Sequence, residues 1–200
     1  SELSSEKNFK SISSSCPENT IISSALSKWC GAGGWRLGFF AAPKQLNELI
    51  DSLKVLASET FSTVNSPIQY AAVEAYKGNY EDYKLKTSNI LKSVGNYVFE
   101  NLKSNKVLIN PSQGGFYLMP EFINNKYKTS SEMCLEILNK TGVALLPGSA
   151  FGFKPNKMLV RLSFTDFDGG VFLKNISNGT ITDQDIQNFA PNVVEGTKIL

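Results

Sequence analysis

The stretch Ser24-Ala25-Leu26-Ser27-Lys28-Trp29-Cys30-Gly31-Ala32-Gly33-Gly34-Trp35-Arg36-Leu37-Gly38-Phe39-Phe40 sets a lysine and an arginine, with glycines between them, between two apolar runs. The first run, residues 20–26, and the second, residues 37–42, are short and rich in β-branched or aromatic residues, so each predicts a buried strand. Lys28 closes the first run beside Trp29. Such a place strips water from an ammonium and favours the neutral amine. A neutral lysine attacks carbonyls and forms Schiff bases, whereas the plainer reading of a lone lysine is a solvated surface group. Gly31, Gly33 and Gly34 permit left-handed backbone and close approach to a bound group. The dinucleotide fingerprint GxGxxG fails because Arg36 stands in its last position, and GxxxxGK[ST] is absent. What remains suits a phosphate ester that also bears a carbonyl: the carbonyl on Lys28, the phosphate on Arg36.

Two scarcities in the composition narrow the chemistry. The 200 residues contain no histidine. That removes Ser-His-Asp and Cys-His catalysis, histidine zinc sites and histidine general bases together. Of the 20 basic residues only Arg36 and Arg161 are arginines. Keeping arginine at two positions has a physical reason where a planar, two-pronged donor must meet a phosphate or carboxylate. The net charge of +2 gives no field that points to nucleic acid or an anionic membrane. No run reaches the roughly 18 apolar residues of a membrane helix. Cys16, Cys30 and Cys134 are odd in number and widely spaced, which fits neither a disulfide framework nor a metal site. The expected compartment is therefore the cytoplasm. The opening SELSSEKNFK lacks an initiator Met and an apolar signal core, so the chain is expected to be a segment of a longer one.

Residues 1–19 read as loop. Leucines and isoleucine at 46, 49, 50, 53 and 56 predict a helix from Lys44 to about Ser58, with Pro43 at its start. Pro67 opens a helix that Gly78 ends. A long periodic stretch from Asn79 to about Ser104 follows, with Tyr83, Ile90, Leu91, Val94, Val98 and Leu102 on one face. Residues 106–109 and 116–119 predict two strands around the turn Asn110–Gly115. Ser130 is expected to cap a helix stopped by Gly142. Residues 143–146 and 158–164 predict strands, 166–182 a loop, and Asp183 the start of a last helix. Alternating strands and helices make the chain α/β or α+β.

The run Ser27-Lys28…Gly34-Trp35-Arg36-Leu37-Gly38, followed by Ala42-Pro43, resembles the lysine region of class I/II pyridoxal-phosphate-dependent aminotransferases. Gln113-Gly114-Gly115-Phe116-Tyr117 is similar to that family's "GAFY" strand. Residues 142–152, GVALLPGSAFG, resemble its "GVxxxPGxxFG" segment. Val160-Arg161-Leu162-Ser163-Phe164 resembles its substrate-arginine strand. The likeness covers about residues 20–165, with the motifs in the family's order.

The resemblance implies the C-terminal part of a fold type I large domain, residues 1–78, followed by the whole α+β small domain, residues 79–200. It implies a Schiff-base role for Lys28 with pyridoxal 5'-phosphate, phosphate binding by Arg36 with Ser27 nearby, and clamping of the amino acid's carboxylate by Arg161. It implies transfer of an amino group between an amino acid and a 2-oxo acid, in a homodimer. Many relatives place a serine where this chain has Ala25; Ser24 and Ser27 are the substitutes at hand. Family members are about twice as long. The ring-nitrogen aspartate, the stacking aromatic ring and the glycine-rich phosphate turn lie in the part not matched, so these 200 residues alone are expected to be inactive. No arginine lies between Arg36 and Arg161, so the side-chain arginine of some aspartate-specific relatives is absent. The residues leave open another fold type I enzyme, such as a β-lyase, and a non-catalytic binding or dimerisation module.

Overall fold

A computed structural model describes residues 10–123, 125–176 and 180–200. The chain divides into two units, one running to Lys84 and the other beginning at Leu85.

The first unit is built on a two-stranded antiparallel ladder. Strand β1 (Ile22–Ala25) pairs with β2 (Gly38–Ala41), Ile22 opposite Ala41 and Ala25 opposite Gly38. The Leu26 amide donates to the Leu37 carbonyl at 3.2 Å, which continues the ladder past the strand ends. Between them the chain makes a single-turn helix, α1 (Leu26–Trp29), and a 3-10 turn, Gly33–Trp35. Helices α2 (Asn47–Thr60) and α3 (Ser66–Lys77) follow, α3 with Pro67 in its first turn, where a missing N–H costs nothing. Leu26, Trp29, Leu37 and Ala72 are buried together, with Val64, Ile68 and Ala75 packed on them. The indole of Trp29 lies 5.6 Å from the Tyr76 ring. The expected strands are present, but their burial is not: β2 is exposed along its whole length. A sheet of two strands has no third strand to bury it; the buried cluster covers its end near Leu26 and Leu37, and the Tyr76 ring meets Phe39 edge-on at 5.3 Å.

The second unit has the larger core. Helix α4 (Glu81–Leu102), in whose first turns the division falls, presents Ile90, Val94, Val98 and Leu102 at i, i+4 spacing. Gly95 on this helix lets the Phe164 ring lie directly on the backbone; a Cβ there would stand 2.9 Å from it. Strand β3 (Val107–Leu108) pairs with β5 (Glu121–Phe122), while β4 (Tyr117–Leu118), β6 (Leu146–Pro147) and β7 (Val160–Ser163) form a three-stranded antiparallel sheet in the order β4-β7-β6. On β7 Val160 and Leu162 are buried, Arg161 is half-buried and Ser163 is exposed, the alternation of a strand with one face on a core. Helix α5 (Ser130–Thr141) packs beneath with Met133 and Cys134, and ends at Gly142 in the left-handed region, φ 76°. Three short helices complete the unit: α6 (Gly169–Asn175), α7 (Asp183–Phe189) and α8 (Pro191–Ile199). Phe164, Phe172 and Ile186 are almost wholly buried at its centre. No described helix is long and apolar enough to cross a membrane.

Several expectations are corrected here. Strands β3 and β4 do not pair across the 110–115 turn; β4 pairs with β7, where Leu118 joins Leu162 in the buried layer. Thr129, not Ser130, caps α5, accepting from the Glu132 amide, while Ser130 is buried and its amide donates to the Pro155 carbonyl at 2.8 Å. Part of the 166–182 segment is helical: Asp168 accepts from the Gly170 amide and starts α6, although glycines fill its first positions. Residues 177–179 of that segment, and residues 1–9 of the expected N-terminal loop, lie outside the described residues. The last helix is two, separated at Ala190–Pro191 because proline cannot continue α7 but fits the first turn of α8.

Candidate functional site

The loop between β1 and β2 folds on itself. Leu26 and Trp29, three apart on one turn, are the buried anchors of α1, so Lys28 on the same turn points outward and is exposed. The desolvated setting expected for Lys28 is thus corrected: the turn buries its neighbours and leaves the lysine at the surface. The loop is closed twice, by Leu26 N–H to Leu37 O and by Ala32 N–H to Leu26 O, both 3.2 Å. The Gly33–Trp35 turn then lies against α1; a Cβ on Gly33 would meet the Ser27 carbonyl at 3.7 Å. Ser27, Lys28 and Arg36 therefore belong to one closed loop.

Arg36 has φ 53° and ψ 43°, a left-handed backbone that an arginine enters at a cost of about 1 kcal/mol. Its guanidinium turns back on the loop, Nη1 donating to the Gly33 carbonyl at 2.9 Å. No carboxylate pairs with it among the described residues, so the rest of the fork is open to a ligand. Arg36 lines a surface hollow of about 820 Å³ with Ser23, Ser24, Trp35, Phe40 and Asn65. Ser23, Ser24 and Arg36 bring two hydroxyls and a cationic fork to this hollow, chemistry suited to a phosphate, whereas Ser27 and Lys28 are not among the residues that line it.

Arg161 lies in the second unit. On β7 it stands opposite Leu146, and Tyr117 stands opposite Ser163, so Tyr117 is the diagonal neighbour of Arg161 on the same sheet face. The Arg161 guanidinium carbon sits 4.4 Å from the centre of the Tyr117 ring and 4.6 Å from that of Phe151. No carboxylate of the described chain reaches it. Phe151 and Tyr117 stand in stretches quoted from the sequence, but neither was singled out. The usable signal was the side-chain alternation of β4 and β7, which puts residues 117, 161 and 163 on one face.

The cysteines take no part. Cys30 donates its thiol to the Leu26 carbonyl at 2.9 Å, bracing α1 from behind. Cys134 is buried in α5, and burial pushes its thiol above the ordinary range.

The sequence profile of the family described as aminotransferase class I and II matches residues 5–168. The chain is 34% identical over 164 residues to a probable N-acetyl-LL-diaminopimelate aminotransferase of Bacillus subtilis, covering 82% of this chain and 40% of that protein. It is 33% identical over 163 residues to an aspartate aminotransferase of Geobacillus stearothermophilus, covering 77% and 39%. The crystal structure of an aspartate aminotransferase from Rhizobium meliloti superposes with a TM-score of 0.74 at 21% identity, over 99% of this chain and 46% of that one. The chain thus spans about two-fifths of the length of the curated relatives it matches, and its fold is that part of fold type I. With the lysine loop, both arginines and most of its length inside the match, this chain belongs to the class I and II aminotransferases, a family that works with pyridoxal phosphate.

Proposed function

We propose that these residues supply the cofactor lysine and two anion-binding arginines of an aminotransferase that moves an amino group between an amino acid and a 2-oxo acid. The aspartate and diaminopimelate enzymes among its relatives make an acidic amino acid the first substrate class to try. In this reading residues 1–78 are the end of the large domain and residues 79–200 the small domain, in a cytoplasmic homodimer; the three free cysteines support that compartment.

Arg36, its fork anchored on Gly33, holds the cofactor phosphate, with Ser24 and Ser27 as hydroxyl donors close by in the chain. Arg161 binds the α-carboxylate edge-on through its two-pronged fork. Lys28 Nζ would hold the cofactor's aldehyde, and its amine is the group that would accept a proton from the substrate α-carbon. Pyridoxal phosphate, when bound, supplies the aldehyde for that attachment and an electron sink for the charge left on the α-carbon. The single observation that carries the reading is Arg161: a half-buried arginine whose guanidinium lies within 5 Å of two ring centres, without an anionic partner among the described residues. These 200 residues alone are expected not to turn over, since none of them matches the family's ring-nitrogen aspartate.

The test is borohydride reduction of the chain mixed with pyridoxal phosphate, followed by peptide mass mapping. The label is expected on Lys28 and lost in Lys28→Ala, with no 2-oxoglutarate formed from added glutamate. Label scattered evenly over the other lysines refutes the assignment of Lys28, and rapid 2-oxoglutarate formation refutes the inactivity of these residues alone.

A further inference from the structure

We propose that Tyr117 and Phe151 are positioning residues that orient Arg161 and thereby set the affinity of the substrate-carboxylate site; the inference rests on the reading of Arg161 given above. Tyr117 and Phe151 reach the guanidinium from different elements, one from β4 and the other from the turn Gly148–Phe151 that follows β6. In the sheet order β4-β7-β6 these elements flank the strand that carries Arg161. Both ring centres lie within 5 Å of the guanidinium carbon, inside the range of about 6 Å for attraction between a cation and a ring face.

The turn that carries Phe151 is built for this closeness. The Gly148 amide donates to the Leu159 carbonyl at 2.7 Å. A Cβ on Gly148 would stand 2.7 Å from that same oxygen, so only glycine lets the turn approach β7 so nearly. Gly152 ends the turn at φ 85°, again a glycine conformation. The Ser149 hydroxyl lies 3.2 Å from that of Ser131, which ties the turn to α5. The glycines of PGSAFG thus hold Phe151 against Arg161 on the neighbouring strand.

An arginine side chain has four rotatable bonds and surrenders much rotamer freedom when it binds. Two rings that already lie against its guanidinium remove part of that loss before the ligand arrives. A guanidinium held in this way is a planar, two-pronged donor suited to a flat carboxylate accepting two parallel bonds. Tyr117 and Phe151 are each exposed over more than a third of their surface, so their rings are held at the open face of the sheet and not in the core.

The chain has only two arginines, so its arginine Nε–Hε resonances are few and are assigned with Arg161→Lys. The whole chain, without cofactor, is titrated with propionate or glutarate while the Arg161 resonance is followed. Ring stacking is expected to shift this resonance in the free chain, and the carboxylate to shift it further. Tyr117→Leu and Phe151→Leu are each expected to abolish part of the ring shift and weaken carboxylate binding about threefold to thirtyfold. Tyr117→Phe and Phe151→Tyr keep the ring and are expected to bind as the parent does, which a merely structural loss would not explain. Leucine variants that fold and bind as tightly as the parent overturn the proposal. A parent chain whose Arg161 resonance ignores carboxylate overturns the reading of Arg161 itself, and the positioning role with it.

Discussion

The two arginines carry the same group, yet the protein holds them by opposite means. Arg36 takes a strained backbone and bonds to a carbonyl three residues away, so its placement is settled within its own loop. Arg161 has the ordinary backbone of a strand, and its placement depends on β4, on the turn after β6 and on the core beneath β7. One site is encoded locally and the other by tertiary packing. Substitutions far from Arg161 in sequence are therefore expected to disturb it, while Arg36 answers to residues 26–37.

The largest expected effect comes from removing the layer under β7. Phe164 is 1% exposed, and its ring lies on the bare backbone of Gly95. Phe164→Ala leaves a cavity and is expected to cost about 3–5 kcal/mol, measured as a fall in the denaturant midpoint at unchanged slope. If the variant loses less than about 1 kcal/mol, the sheet that carries Arg161 does not depend on this core.

A smaller effect is expected at Gly148. Its added methyl would press on a backbone oxygen at 2.7 Å, a contact no side-chain rotation relieves. Gly148→Ala is expected to cost about 1–3 kcal/mol. It should also reduce the ring shift on the Arg161 Nε–Hε resonance, because the turn must retreat and take Phe151 with it. Full stability together with an unchanged shift would mean that the close approach is dispensable.

The same contrast decides what was legible in the sequence. The loop of Lys28 and Arg36 could be read because its determinants are contiguous: two apolar runs, a lysine, glycines and an arginine at short range. The outward direction of Lys28 was also within reach, since Leu26 and Trp29 sit at helical spacing and claim the inner face. Helix α4 announced itself by periodicity, and α5 by its stop at Gly142. The pairing of β4 with β7 was not legible. The 110–115 segment has every mark of a hairpin turn, but register follows the partner that lets Leu118 and Leu162 share a buried face. Helix α6 was hidden because its opening glycines have poor helix propensity, and the Asp168 cap with buried Phe172 overrides them. The rings beside Arg161 were invisible for the same reason as the register: they meet it only after the sheet is assembled.

The smallest expected change in stability is at Arg36, where opposing terms nearly cancel. Glycine enters the left-handed region freely, so Arg36→Gly relieves about 1 kcal/mol of backbone strain. It also gives up the bond to the Gly33 carbonyl and adds freedom to the unfolded chain, each of which takes back part of that gain. The net change is expected to stay within about 1 kcal/mol of zero, read from the thermal midpoint. Binding of pyridoxal phosphate, followed by absorbance, should weaken at least tenfold, because the cationic fork is gone. Arg36→Ala separates the two contributions: it loses the fork but keeps the strain, so it should bind the cofactor as poorly as the glycine variant while being less stable. A glycine variant less stable than the alanine one would mean that the left-handed backbone at position 36 is no burden. The strained arginine could not then be read as stability given up in exchange for a phosphate site.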